Sequence, residues 1–242
     1  MNLLEITEIL KSDNNYSQLV SEIRKGRSGT RVQVIDEAVP FLTASIWKNL
    51  QLPILLICPS PEHSRRLYEY LSAWLENETQ LLRFGESEIL PFERLTEDLS
   101  TSQERLRALN YLLKNKSQPS IVVTSASALS QKTISIESFT ENSHTYTQGD
   151  KINLEELSRY WQQMGYSFES NVSDPGTASR RGGIVDVFPI GEEVPYRVEL
   201  WGDEIDSIRT FDPDTQRSIN IAEQFSMSPA KETLTTSITL DD

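Results

Sequence analysis

Tyr196-Arg-Val-Glu-Leu-Trp201-Gly202-Asp203-Glu204-Ile-Asp-Ser-Ile-Arg209-Thr-Phe211 carries the pattern of a β-hairpin. Tyr196, Val198 and Leu200 alternate with Arg197, Glu199 and Trp201, the period-2 pattern of a strand with one face on a core. Gly202-Asp203 then separates this run from a second one over 205–211, and a Gly-Asp pair between strand-like runs is a two-residue hairpin signal. Residues 184–188 give a third strand close upstream. A helix over 154–164, stopped by Gly165, precedes all three. Closely spaced strands without intervening helices predict an antiparallel sheet in an α+β unit.

Upstream the pattern changes. Helical apolar spacing occurs over 3–10, 19–23, 39–50, 62–75 and 102–113, with Pro40 tolerable in a first turn. Strands are predicted at 31–35, 54–58, 80–84 and 121–124, with Ser125 as the N-cap of whatever follows. Ile54-Leu-Leu-Ile-Cys58 is a continuous apolar run, which predicts burial on both faces. Strands alternating with helices imply a parallel sheet with right-handed crossovers. Residues 135–149 are polar and turn-rich, with His144 in a loop, so a boundary is placed near 139. The expected division is an α/β domain at 1–139, an α+β domain at 140–229 and a polar tail at 230–242 that begins a truncated return into the first domain.

Composition narrows the function. Thirty-six acidic residues face 23 basic ones, for a net charge of −13. Such a chain repels nucleic-acid phosphate unless its bases gather on one face. The densest basic spots, Arg24-Lys25-Gly-Arg27 and Arg180-Arg181, are too small for a duplex footprint. The single cysteine, Cys58, allows neither an internal disulfide nor a cysteine metal cluster. No apolar run reaches the roughly 18 residues of a membrane span, and Met1-Asn-Leu-Leu-Glu5 lacks the basic start of a signal peptide. The expected location is the cytoplasm.

No catalytic arrangement emerges. A phosphate loop needs glycines, then Lys and Ser or Thr, between a strand and a helix. The predicted strand at 31–35 is followed instead by Asp36-Glu37-Ala38-Val39-Pro40, with two carboxylates where a triphosphate needs positive charge. His63 and His144 are isolated from each other, and neither completes a triad or a metal set. No catalytic, cofactor-binding or metal-ligating residue is expected in this chain.

The most specific string spans Asp174 to Asp212. It contains Arg181-Gly-Gly-Ile-Val-Asp186-Val-Phe188-Pro189 and then Gly202-Asp-Glu-Ile-Asp-Ser-Ile-Arg209-Thr-Phe211-Asp212. It closely resembles the second domain of the excision-repair protein UvrB and of the coupling factor family Mfd. The first half matches more loosely, through Leu90-Pro91-Phe92-Glu93 and Thr101-Ser-Gln-Glu-Arg105-Leu106. The missing phosphate loop, and the lack of room for a long aromatic hairpin before residue 139, favour the Mfd side of the family.

The resemblance implies a fold: a degenerate P-loop-NTPase-like parallel-sheet domain followed by a smaller α+β domain with an antiparallel sheet. It implies a non-catalytic module that brings UvrA to RNA polymerase stalled at DNA damage. Polymerase and DNA would contact only other parts of an ATP-dependent translocase. It also implies that UvrA is met by Arg181, Arg197 and Trp201. The last is usually Phe, so the ring is kept and enlarged. Independently, the alternation puts Arg197, Glu199 and Trp201 on one outward face, and Trp beside Arg is the composition of an interface hot spot. Neither Arg197 nor Trp201 is expected in the core. The rival reading is a UvrB-type, nucleotide-dependent DNA-handling enzyme. Calorimetric titration with Mg-ATP separates the two. No heat of binding is expected, and micromolar affinity or nucleotide ordered at residues 35–41 overturns the non-catalytic reading.

Overall fold

Apolar residues from two helices and three short strands close the first core. The computed structural model describes residues 6–75, 80–87, 99–116 and 118–232. It divides into two compact units, Met1–Leu95 with Asn115–Gln131, and Thr96–Lys114 with Lys132–Asp242. Leu90 to Glu93 lie outside the described residues, as does the tail beyond Glu232.

In the first unit a 3-10 turn, Thr7–Ser12, leads to α1 (Asn14–Arg24), where the Asp13 carboxylate caps the helix by accepting from the Tyr16 amide at 2.9 Å. Next come α2 (Val39–Leu50), with Pro40 in its first turn, β1 (Ile54–Cys58), α3 (Pro61–Ser72), capped by Ser60, and β2 (Leu81–Phe84). Helix α4 (Leu99–Lys114) falls by its contacts into the second unit. The chain returns through β3 (Ile121–Ser125), which lies between β1 and β2 and parallel to both. The Ser125 hydroxyl caps α5 (Ala126–Ser130) by accepting from the Ala128 amide at 3.1 Å. Ala44 and Trp47 of α2 and Leu71 of α3 pack against Cys58, Leu81, Ile121 and Val123. Burial pushes the Cys58 thiol up from its ordinary pKa, so it serves as a small hydrophobe.

Two expectations for this unit are corrected. Residues 31–35 form no strand, and Val32, Val34 and Ile35 stand exposed. Alternation makes a strand possible, but only pairing makes one, and this segment pairs with none of the three strands. The strands of the described sheet that do run into helices turn at Pro59-Ser60 and Ser125, without glycine or lysine. The apolar run of β1 is not buried on both faces either. Leu55 and Ile57 are exposed, because the helices of this core cover only the other side.

In the second unit, α6 (Ile136–Glu141) and β4 (His144–Thr147) occupy the segment expected to be turns. Their cues are short and polar: the Ser135 hydroxyl caps α6 from the Ser138 amide at 3.1 Å, and β4 buries little. Then follow α7 (Leu154–Gln163), β5 (Ser167–Phe168), β6 (Thr177–Arg181), β7 (Ile184–Val187), β8 (Tyr196–Trp201), β9 (Glu204–Phe211), β10 (Ser218–Ala222) and β11 (Gln224–Met227). Six of these strands form one sheet in the order β10-β9-β8-β7-β6-β5, parallel only between β5 and β6. β4 and β11 pair separately.

The inner side of the large sheet is the core of this unit. Val185, Val187, Val198, Ile205 and Ile208 meet Leu157, Trp161 and Met164 from α7 and the segment ending it, and Phe225 and Met227 from β11. Tyr146 and Tyr196 stack on Phe225 at 5.2 and 5.3 Å. Gly165 ends α7 at φ +98°, a conformation that side chains resist. The buried Tyr166 hydroxyl donates to the Ser228 carbonyl at 2.9 Å, and burial lifts its pKa well above the ordinary phenol value.

Helix α4 is fixed to this unit by polar groups. The Arg105 guanidinium is fully buried and forks onto the Glu232 carboxylate, through Nε to Oε1 and through Nη2 to Oε2 at 3.0 Å. Thr133 donates to the same carboxylate, and Asn110 Nδ2 donates to the Ile190 carbonyl at 3.1 Å. Truncating one partner of a buried pair strands the other. Arg105→Ala is therefore expected to lower stability by about 3 kcal/mol, measured as a lower urea midpoint. An unchanged midpoint would show that this pair does not hold the unit.

Candidate functional site

The outer side of the large sheet is organised by strand register. Ser179 of β6 faces Asp186 of β7, Asp186 faces Arg197 of β8, Arg197 faces Arg209 of β9, and Arg209 faces Ile221 of β10. These residues make one row across five strands. The neighbouring row runs through Arg181, Ile184, Glu199 and Ser207, and beyond it Trp201 faces Glu204. Pleating sends alternate side chains to opposite faces, so the Arg197, Glu199, Trp201 set shares this side while Val198 and Leu200 join the core. Gly202 takes φ +64° at the first position of the two-residue turn, the conformation a type II′ hairpin needs, and Trp201 stands beside it.

Asp186 is the centre of the arrangement. Its carboxylate is buried, and it accepts from Arg197 Nε at 2.7 Å, Arg197 Nη2 at 2.9 Å and Arg181 Nη2 at 2.9 Å. Arg197 also donates through Nη1 to the Gln216 carbonyl at 3.3 Å. Its guanidinium lies 4.7 Å from the centroid of the Phe211 ring, a cation–π placement. Phe211, Val172 and Phe188 form a small apolar cluster around it. Hydrogen bonding to Asp186 raises the Arg197 pKa still further above its ordinary value. Gln216 is held at φ +59° by a tight loop in which Asp212 accepts from the Thr215 amide at 2.7 Å; those bonds lower the Asp212 pKa.

The three residues expected to meet a partner thus differ in kind. Trp201 is 84% exposed. The Arg181 side chain is 54% exposed and spends one nitrogen on Asp186. The Arg197 side chain is only 18% exposed, and all three of its nitrogens are occupied. Arg197 is not among the buried residues, in line with the expectation that it lies outside the core, but its side chain is largely covered on the outer face. The alternation gave its face correctly, but not the carboxylate buried beneath it. Asp186 itself was missed, although a lone Asp among Ile184, Val185, Val187 and Phe188 is a sequence signal that a cation is needed nearby.

The described residues hold no cluster of three or more His, Cys, Asp or Glu suited to a metal ion. His63 Nδ1 lies 2.7 Å from the Ser60 hydroxyl, and His144, on β4 and not in the expected loop, has Nε2 2.6 Å from the Tyr160 hydroxyl. No described helix is long and apolar enough to cross a membrane. The geometry is that of a sheet face on which arginines and carboxylates alternate around one exposed ring.

Residues 145–232 match the family described as the UvrB interaction domain. The chain is 30% identical to the transcription-repair-coupling factor of Myxococcus xanthus over 226 residues, 91% of this chain and 19% of that protein. The corresponding proteins of Bacillus subtilis and Escherichia coli are 27% and 26% identical over 94% and 87% of the chain. The chain is related to the transcription-repair-coupling factors. It spans about a fifth of the length of these relatives. The Asp186 row lies wholly within the residues that match the UvrB interaction domain.

The unequal burial of the two arginines generates a stability test. Arg197→Ala leaves Asp186 buried with only Arg181, and is expected to cost about 3 kcal/mol. Arg181→Ala removes a half-exposed partner and is expected to cost under about 1 kcal/mol. Equal effects in urea denaturation would refute the assignment of Arg197 as the buttress.

Proposed function

We propose that this chain is the UvrA-binding module of a transcription-repair-coupling factor, and that it recruits UvrA to RNA polymerase stalled at DNA damage. The observation that carries this reading is Trp201, a large ring standing almost bare on the same outer sheet face as Arg181 and Arg197, within the residues that match the UvrB interaction domain. Buried aromatic and arginine anchors dominate protein interfaces. Trp201 and Arg181 are the direct contacts in this proposal, and Arg197 holds the face in shape beneath them. The surface belongs to a module at residues 140–229. The first unit is a P-loop-like sheet without the phosphate loop, and takes no part in nucleotide hydrolysis. The ATP-driven DNA translocation of the whole protein, and its contacts with polymerase and DNA, belong to other parts of it. The setting is the bacterial cytoplasm.

The test is binding of the purified chain to UvrA from the same organism, with circular dichroism as the folding control. Trp201→Ala and Arg181→Ala are each expected to weaken binding by about 2 kcal/mol, with an unchanged melting curve for Trp201→Ala. Arg65→Ala, in the first unit, is expected to change little. Absence of binding by the wild type refutes the function; wild-type affinity in both folded variants refutes the site.

A further inference from the structure

The outer face does not end at the three residues already assigned. β10 is the last strand of the sheet, and it carries two exposed isoleucines. Ile221 is 83% exposed, as bare as Trp201, and its register partner is Arg209. Ile219 is half exposed at the register shift in the same strand. Ile184, in the row of Arg181, is the other exposed aliphatic on this sheet. Single exposed aliphatics are ordinary on a protein surface. Here they share a sheet with the exposed Trp and with two arginines that reach solvent on its outer face, Arg181 and Arg209, whose side chains are 54% and 43% exposed. Arg209 is tied to its own sheet only by a loose ion pair with Glu199, at 3.8 Å.

We infer that the docking face extends across β9 and β10, with Arg209 and Ile221 as further contact residues. The inference rests on the reading of this face as the UvrA-binding surface. The partner surface that fits it has an apolar recess for Ile221 and carboxylates placed for Arg209 and Arg181.

Scale supports the extension. Neighbouring strands lie about 4.8 Å apart, so Ile221 sits roughly 10 Å from Arg197 across the sheet. A standard interface covers about 800 Å² per partner, equivalent to a disc of about 16 Å radius. A partner of that size centred on Arg197 reaches both the Trp201 end of β8 and the Ile221 position of β10. Charge bears on the choice of partner. On this face Arg181, Arg197 and Arg209 stand among Asp186, Glu199 and Glu204. Asp186 takes both forks of Arg197 but only one nitrogen of the half-exposed Arg181, and Glu199 lies a loose 3.8 Å from Arg209. The exposed guanidinium groups of Arg181 and Arg209 are the donors that carboxylates of a partner complement.

The experiment measures UvrA affinity for wild type, Trp201→Ala, Arg209→Ala, Ile221→Ala and Ile221→Asp, with Ile136→Ala as an exposed control in the same unit. Ile221→Asp is expected to weaken binding at least tenfold, and Ile221→Ala and Arg209→Ala about threefold to tenfold. Ile136→Ala is expected to stay within twofold. Ile221 is bare in the free chain, so its variants are expected to keep the wild-type melting curve. Amide exchange at residues 218–222 is expected to slow in the complex, a readout that needs no variant. If Trp201→Ala loses affinity while the Ile221 and Arg209 variants bind as wild type and residues 218–222 gain no protection, the extension fails and the UvrA reading stands. If wild type does not bind UvrA, both fail. If wild type dimerises in sedimentation and Ile221→Asp abolishes the dimer without affecting UvrA, β10 is a self-association edge and the extension is overturned.

Discussion

A carboxylate withdrawn from water costs several kcal/mol unless cations follow it inward. Asp186 is such a group, and Arg197 and Arg181 are the cations that follow it. The pairing decides much else. It fixes the Arg197 fork in one plane, over the Phe211 ring and under the Gln216 carbonyl. It draws the 212–217 loop against the sheet and pulls Arg181 across from β6. Three strands and a loop are thereby tied at one point on a face with no helix over it. An open sheet face is soft unless its side chains are locked to one another, and here ionic contacts do the locking that a covering helix does on the inner side.

The two sides of the sheet thus divide the labour. The inner side takes the apolar residues of alternate positions, with Phe225 between Tyr146 and Tyr196 and Trp161 capping the stack. Those stiff aromatic contacts hold register, and register sets which residues share a row on the outside. A slip of one residue along β8 would turn Trp201 inward and Leu200 outward. The placement of the exposed ring is thus a consequence of core packing on the opposite side of the same strand, and of a glycine at the turn that lets β8 and β9 meet without splaying.

What the sequence made legible follows from which signals are local. Helix α2 and strand β8 were fixed by periodicity alone, and the Ser125 cap by its own side chain. The hairpin was written in Gly202-Asp203. Failures came where a fact depends on a neighbour far along the chain. Residues 31–35 alternate like a strand but find no partner. β1 is apolar on both sides, yet packs on one. β4 pairs with β11 some eighty residues later, and neither has an apolar run of its own. At the site, alternation gave the face of Arg197 and Trp201. It could not give the burial of Arg197, because that burial is set by Asp186 on the next strand. The likeness to known coupling factors named the residues; only the register separated a buttress from an exposed ring.

A net charge of −13 opposes the proposal that this face receives carboxylates. Screening resolves it. At physiological ionic strength the Debye length is about 8 Å, so acids elsewhere on the molecule contribute little at the point of contact. The local field is set by charges within one or two strand spacings, where Arg181, Arg197 and Arg209 stand among Asp186, Glu199 and Glu204. The same screening does not help a nucleic acid in the same way. A duplex is long, and its affinity comes from neutralising many phosphates at once. A partner protein needs only two or three well-placed carboxylates and an apolar anchor. A few exposed arginines set among carboxylates on an acidic surface suit the proposed compact protein epitope better than a polyanion.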